Sequence, residues 1–328
     1  MLVLAGLFLS SPSFAGGPGT SGAPFLQLGY GARPLGLGEA FVAVANDVAA
    51  LHYNPAGLAH PAFVDPVQKP APYEVMLTHS VLVQGVQMTQ AGFVRRPFGL
   101  SLTHLSLGGI EQRTTETREP EGTFGASSLA LGGSYGRKIG DVGVGATVKF
   151  IRETIGANSA STLALDLGAL YRFEKKPVSV GLGVANLGKG IKYIDQTAPL
   201  PTTVRLGVAY GMTKEYPHTL SLQLDFPRDS GAIIRFGGEY LGFGPLALRA
   251  GYRTYAGEQR QAATGKALGS TASGLSDFYG MFLGAGVRTA LGNLDYALVP
   301  YGELGTAHRL SFSMKFGTPG TTGKENVR

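Results

Sequence analysis

The side chains in this chain that could do chemistry are many, but they are scattered. Six histidines (His52, His60, His79, His104, His218 and His308) stand at no spacing that would gather a metal. With no cysteine there is no thiolate ligand, no disulfide and no cysteine nucleophile. No pair of carboxylates and no nucleophile elbow suggests acid–base or acyl-transfer chemistry. Gly143-Val-Gly145 and Gly181-Leu-Gly183 lie inside strand-like runs with no helix behind them, so they are not phosphate loops. What remains is a set of charges, Lys149, Asp166, Arg172, Arg205, Asp225, Arg235, Glu239, Arg249 and Arg253, each on the polar phase of a two-residue repeat. Their chemistry is electrostatic: paired, they fill the inside of a narrow wall, and left unpaired they would bias a passage toward anions. Filling is the expectation. No catalytic residue, cofactor or metal is expected, and the chain is read as no enzyme.

The elements that carry these charges repeat one pattern. Val144, Ala146, Val148 and Phe150 alternate with Gly145, Thr147 and Lys149, and Leu163, Leu165, Leu167, Ala169, Tyr171 and Phe173 oppose Thr162, Asp166 and Arg172. Arg205 and Gly207 oppose Val204, Leu206, Val208 and Tyr210; Gln223 and Asp225 oppose Leu220, Leu222, Leu224 and Phe226. Arg235 and Glu239 oppose Ile234, Phe236 and Tyr240, while Arg249 and Arg253 oppose Leu246, Leu248, Ala250 and Tyr252. One face is apolar and the other carries the ions, as a strand between lipid and lumen requires. Segments of roughly nine to eleven residues, the length that crosses a bilayer, recur near 73–82, 87–96, 98–109, 124–137, 142–153, 162–173, 178–188, 202–212, 219–226, 232–241, 246–255, 277–289, 293–301 and 308–316. That makes about fourteen strands, an even number. Alternation alone would also suit a soluble sandwich. Connection lengths separate the two: Arg96-Pro97, Gly136 to Asp141, Glu174 to Pro177, Thr213 to His218, Gly242 to Pro245 and Leu291 to Asn293 are tight, whereas Ile110 to Thr123, Lys189 to Pro201 and Ala256 to Ser276 are long and polar. Tight turns at one rim and long loops at the other predict an all-β, transmembrane antiparallel β-barrel with periplasmic turns. Tyr210, Tyr240, Tyr252, Tyr255, Tyr296 and Tyr301 suit interfacial girdles.

Bulk composition agrees. Among 328 residues there are 50 glycines with no collagen-like period, as expected where many strands bend and crowd. The net charge of +6 is spread singly along the chain, which argues against nucleic acid and for a lumen or headgroup-facing loops. Residues 1–15 read as a signal peptide: Leu2 to Leu9 is too short to span a bilayer and Ser13-Phe14-Ala15 offers a small-x-small cleavage site, a buried N-terminal strand being the competing reading. The expected organisation is a linker and plug segment over 16–72, the barrel over 73–316 and a polar tail over 317–328.

The segment from Gly29 to Leu58 is the most informative. Gly31-Ala32-Arg33, Gly36-Leu-Gly38, Ala40-Phe-Val-Ala-Val-Ala45 and Asn54-Pro55-Ala56-Gly57 closely resemble the N-terminal signature of the PorV/PorQ family of outer-membrane proteins, itself similar to FadL-type transporters of hydrophobic compounds. Arg309-Leu-Ser-Phe-Ser-Met-Lys-Phe316 resembles the terminal strand that barrel-insertion machinery reads, although a tail follows it. Locally, Asn46-Asp47 can cap a short helix over Val48 to His52, and Asn54 can cap the turn that Pro55 opens. The resemblance implies a hatch inside the barrel, held by Asn54, Pro55 and Ala56, mere helix termination being the alternative for these three; the apolar Phe41, Val42, Val44 and Leu51 suit a hatch that packs against or borders a greasy passage. It also implies location in the cell outer membrane, contact with its lipid, and a role beside a type IX-like secretion machinery, binding the C-terminal signal of exported cargo at the extracellular loops. The alternative is FadL-like passage of a hydrophobic small molecule such as a fatty acid. FadL-type chains are usually longer, which favours the first.

Overall fold

A computed structural model describes residues 19–60, 71–113, 119–211, 218–254, 279–301 and 305–317. The described residues form sixteen strands: β1 (Tyr73–Val81), β2 (Gln87–Arg95), β3 (Phe98–Gln112), β4 (Gly122–Ile139), β5 (Val142–Ile155), β6 (Asn158–Arg172), β7 (Val178–Gly188), β8 (Ile191–Tyr193), β9 (Gln196–Ala198), β10 (Thr203–Gly211), β11 (Thr219–Pro227), β12 (Ile233–Phe243), β13 (Leu246–Arg253), β14 (Met281–Arg288), β15 (Asn293–Pro300) and β16 (Thr306–Phe316). All but β8 and β9 join one closed antiparallel barrel of fourteen strands, sealed where β1 runs against β16 from Tyr73↔Phe316 to Val81↔His308. The pair β8–β9 forms a separate small hairpin inside the connection that the sequence marks only as long and polar. A closed sheet leaves no strand edge, which is what lets strands stand in hydrocarbon.

Burial is inverted relative to a soluble protein. Leu220, Leu100 and Leu163 are about 60% exposed on the outer wall (63%, 62% and 60%), while Asp166, Asp225, Glu239 and Arg309 are buried within. This contrast, which alternation could not supply, selects a membrane barrel over a sandwich: an outward apolar belt is stable only against lipid. Among the described residues no helix is long and apolar enough to cross a membrane.

Turns at one rim are short, at Arg96-Pro97, Gly140-Asp141 and Gly244-Pro245, and the other rim carries the longer connections, although Gly156-Ala157 there is also tight. Strands β3 to β6 are longer than the reading predicted. β2 pairs with β3 only as far as Ser106, so Leu107–Gln112 and their partners on β4 overhang the long-connection rim. At the short-turn rim Tyr73 stacks with Phe93 and Phe316, Phe98 meets Tyr135, Tyr171 meets Phe173, and Tyr240 lies between His218 and Phe243. Phenylalanines that the tyrosine count overlooked thus share this girdle with the tyrosines. Tyr255, the leader at 1–15 and the tail beyond Gly317 lie outside the described residues.

Candidate functional site

The interior of the barrel is occupied by the chain's own N-terminal segment. It starts under the long-connection rim, where the Ala23 amide donates to Glu153 and Gln27 donates to Asp229, and it ends at the short-turn rim, where Arg96 donates to the His60 carbonyl at 2.9 Å. Between them lie a 3-10 turn (Pro24–Gln27), α1 (Ala32–Gly36), α2 (Ala50–Tyr53) and a second 3-10 turn (Pro55–Ala59). Phe41, Val42, Val44 and Leu51 are fully buried, and so are Ala32, Leu35 and Leu37.

Such short elements leave most of their backbone donors and acceptors unpaired, and the barrel wall supplies the partners. Ser311 Oγ accepts from Ala32 N at 2.7 Å, and Gln90 accepts from Gly31 N while donating to Gly29 O. Gln223 Oε1 accepts from both Phe41 N and Val42 N, at 2.9 and 2.8 Å, and Ser179 Oγ donates to Ala43 O at 2.7 Å. Every one of these wall residues stands on the polar phase of its strand.

Asn54 is fully buried and works in both directions. Its Oδ1 accepts from Ala56 N at 3.1 Å, capping the turn opened by Pro55, and its Nδ2 donates to Val42 O at 2.8 Å and to Ala169 O on β6 at 3.0 Å. It thus ties two parts of the segment to each other and to the wall. Asp47 Oδ1 accepts from Ala49 N at 2.8 Å at the start of the turn leading into α2, which begins at Ala50, two residues later than the capping pattern suggests.

The glycines of the motif make room for close contact. Gly31 and Gly38 take left-handed φ of 79° and 61°, and a Cβ on Gly38 would press on Phe236 O and Tyr252 N. The wall reciprocates: Cβ atoms at Gly145, Gly181 and Gly251 would collide with Pro55, Val42 and the Leu37–Gly38 backbone. The high glycine content is thus explained in large part by a lumen carved to the shape of its plug.

Lys149, Asp166, Arg205, Asp225, Arg235, Glu239 and Arg249 are buried, and the charged side chains of the interior are bonded in a specific pattern. Arg33 of α1 grips Glu239 in a two-bonded fork (2.9 and 2.8 Å) and also reaches Asp47 at 2.6 Å and Asn46 at 2.7 Å. Arg249 bridges Glu239 and Asp295, at 2.7 Å each. Arg235 holds Asp225 at 2.6 Å and also pairs with Glu39, which Arg253 approaches at 3.5 Å. Asp166 pairs with Lys149 at 2.8 Å. Arg172 turns to the carbonyls of Val44 and Ala45, and Arg205 donates to the His52 carbonyl at 3.2 Å. Glu39 and Asp295 were missed as members of this network, and so were the separate Glu74–Arg96 pair and Arg309, which donates to the Gly29 carbonyl. For Asp295 and Arg309 the period-two phase was a usable signal; for Glu39 and Arg96, in the segment and a turn, there was none.

Two histidines of the segment are held neutral. Burial, helped by the nearby cations Arg205 and Lys149, pushes His52 well below the usual histidine range, and its ring stacks on Tyr30 at 5.7 Å. Burial and then Arg172 lower His60 to about 4, with its ring nitrogen hydrogen bonded to the Leu170 carbonyl. Cavities of about 370, 60 and 20 Å³ lie along the segment. Among the described residues no cluster of three His, Asp or Glu could hold a metal.

Comparison with known proteins gives the same fold. The toluene transporter TbuX of Ralstonia pickettii superposes with a TM-score of 0.53 at 13% identity, over 88% of this chain and 99% of that one. The toluene transporter TodX of Pseudomonas putida gives 0.53 at 13% identity over 88% and 98%, and a FadL homologue of Pseudomonas aeruginosa gives 0.50 at 13% over 86% and 98%. At such identity the likeness speaks for the fold alone. No curated protein matches the sequence. A family described as type IX secretion system protein PorV matches residues 18–228, which take in the whole N-terminal segment and strands β1 to β11. With well over half its length matched, this outer-membrane β-barrel belongs to the PorV family.

Proposed function

We propose that this protein serves type IX protein secretion from the outer membrane, receiving exported cargo at the long-connection rim, and that it is no enzyme. The observation that carries this reading is the occupied lumen: the segment from Ala23 to His60 is bonded to wall residues on β2, β5, β6, β7, β11, β12 and β16, so the surfaces left for a partner are the rims. In the same reading residues 16–72 act as a hatch, Gly31, Ala32, Arg33, Gly36, Gly38 and Asp47 fit it to the wall, and Asn54, Pro55, Ala56 and Gly57 clasp it shut.

The alternative is passage of a hydrophobic small molecule, as the toluene transporters of the same fold are named for. Against it, the greasy side chains Phe41, Val42, Val44 and Leu51 are spent on packing, and the 370 Å³ cavity beside the segment carries Glu39, Asp225, Asp229 and three arginines. The deciding experiment is extraction from the native outer membrane in mild detergent followed by native mass spectrometry. A co-purifying polypeptide supports secretion; a lipid-sized mass displaced by added fatty acid would reverse the assignment.

A further inference from the structure

The 370 Å³ cavity forms a cup under the long-connection rim, between the start of the N-terminal segment and strands β7, β10, β11, β12, β13 and β14. Its carboxylates are already engaged. Glu39 is held by Arg235 and Arg253, Asp225 by Arg235 and by the Gln223 amide at 2.7 Å, and Asp229 by the Gln27 amide at 3.1 Å from each oxygen. Arg205 is different. It is 8% exposed, its guanidinium lies 5.8 Å over the Tyr53 ring and gives one bond to the His52 carbonyl, its Nε is buried without a partner, and among the described residues it makes no ion pair. A buried cation without a counter-charge is costly, and the cost is relieved by an anion that enters the cavity.

The rest of the lining says which anion. Leu28, Phe282 and Tyr301 give an apolar surface, and Ser230 and the Thr203 hydroxyl, which donates to the Pro201 carbonyl and can still accept, add polar groups suited to an amide. A ligand with one carboxylate, an amide and one apolar side chain, but no ammonium group, matches this set. Glu39 and Asp225 are neutralised by Arg235 and Arg253 and both Asp229 oxygens accept from the Gln27 amide, so the ammonium of a free amino acid would meet three arginines and no carboxylate that is not already engaged, and a long acyl tail would run against the hydroxyls. We propose that the cup holds the free carboxylate at the C terminus of a polypeptide, with Arg205 as the residue that binds it. This rests on the secretion reading, and it names the chemical group by which cargo would be held.

The test uses the purified barrel in detergent with N-acetylphenylalanine, its primary amide, and hexanoate, titrated calorimetrically. The acid is expected to bind at least tenfold more tightly than the amide, because a charge-assisted bond is at stake, and more tightly than hexanoate. Arg205→Gln should abolish the preference for acid over amide and Arg205→Lys should keep part of it, with the heat-modifiable mobility of each variant confirming that it is folded. Equal binding of acid and amide to the unaltered protein would overturn the site without any variant, and hexanoate binding as well as N-acetylphenylalanine would overturn the chain-end assignment. The two readings fail separately: a polypeptide partner in the native mass spectrum beside a cup that ignores the probe removes only the cup, whereas a probe-binding barrel whose native ligand is a lipid removes only secretion.

Discussion

Replacing Asn54 by alanine deletes three hydrogen bonds at a fully buried position: the cap on Ala56 N and the two donations to Val42 O and Ala169 O. At a net ~1 kcal/mol each, the loss is about 3 kcal/mol, much of it from leaving the partners buried and unsatisfied. The barrel ladder keeps its own backbone bonds, so the weakening should be local to the segment. Opening of that segment should become about a hundredfold more frequent, since ~1.4 kcal/mol is a factor of ten. Hydrogen exchange followed by mass spectrometry reads this directly: peptides covering 41–58 should exchange about two decades faster in Asn54→Ala, while peptides from β11 and β12 stay as they were. Asn54→Ser, which keeps a capping oxygen but cannot span to the wall, should fall between. Unchanged exchange over 41–58 in the alanine variant would refute the idea that Asn54 clasps the segment; equal acceleration throughout the barrel would show that segment and barrel open as one unit.

Three further outcomes follow from the same geometry. Gly145→Val sets a side chain against the Pro55 backbone and should prevent the compact, heat-modifiable form on gels, whereas Gly133→Val, where a Cβ meets nothing within 4 Å, should be tolerated. Arg249→Met strands the buried Asp295 and leaves Glu239 to Arg33 alone; a cost of about 3–5 kcal/mol should lower the thermal midpoint in detergent, and adding Asp295→Leu should recover part of it. His60, neutral and depressed to about 4 with Arg172, Lys138 and Arg96 around it, binds its proton more readily in the unfolded segment, so its contribution is complete above pH 6.5, declines below it and is gone near pH 4. Protease resistance of the segment should fall across that window, and His60→Gln should flatten the fall.

The sequence by itself determined the wall. Period-two alternation is a local property, set by backbone pleat and by which face meets lipid, and it survives whatever the strand pairs with; hence Lys149, Asp166, Arg235 and Arg249 could be placed inward from their phase alone. The Asn54-Pro55 cap was legible for the same reason, being complete within three residues. Tertiary structure decided what the inside is for. Ion partners such as Arg33–Glu239, separated by 206 residues, depend on how a closed ring of fourteen strands folds a segment into its centre, and no local pattern encodes that distance. It also decided why Gly145 and Gly181 are glycine, which is a matter of contact with Pro55 and Val42 rather than of strand chemistry, and why Arg205, indistinguishable in phase from Arg235, has no carboxylate partner among the described residues.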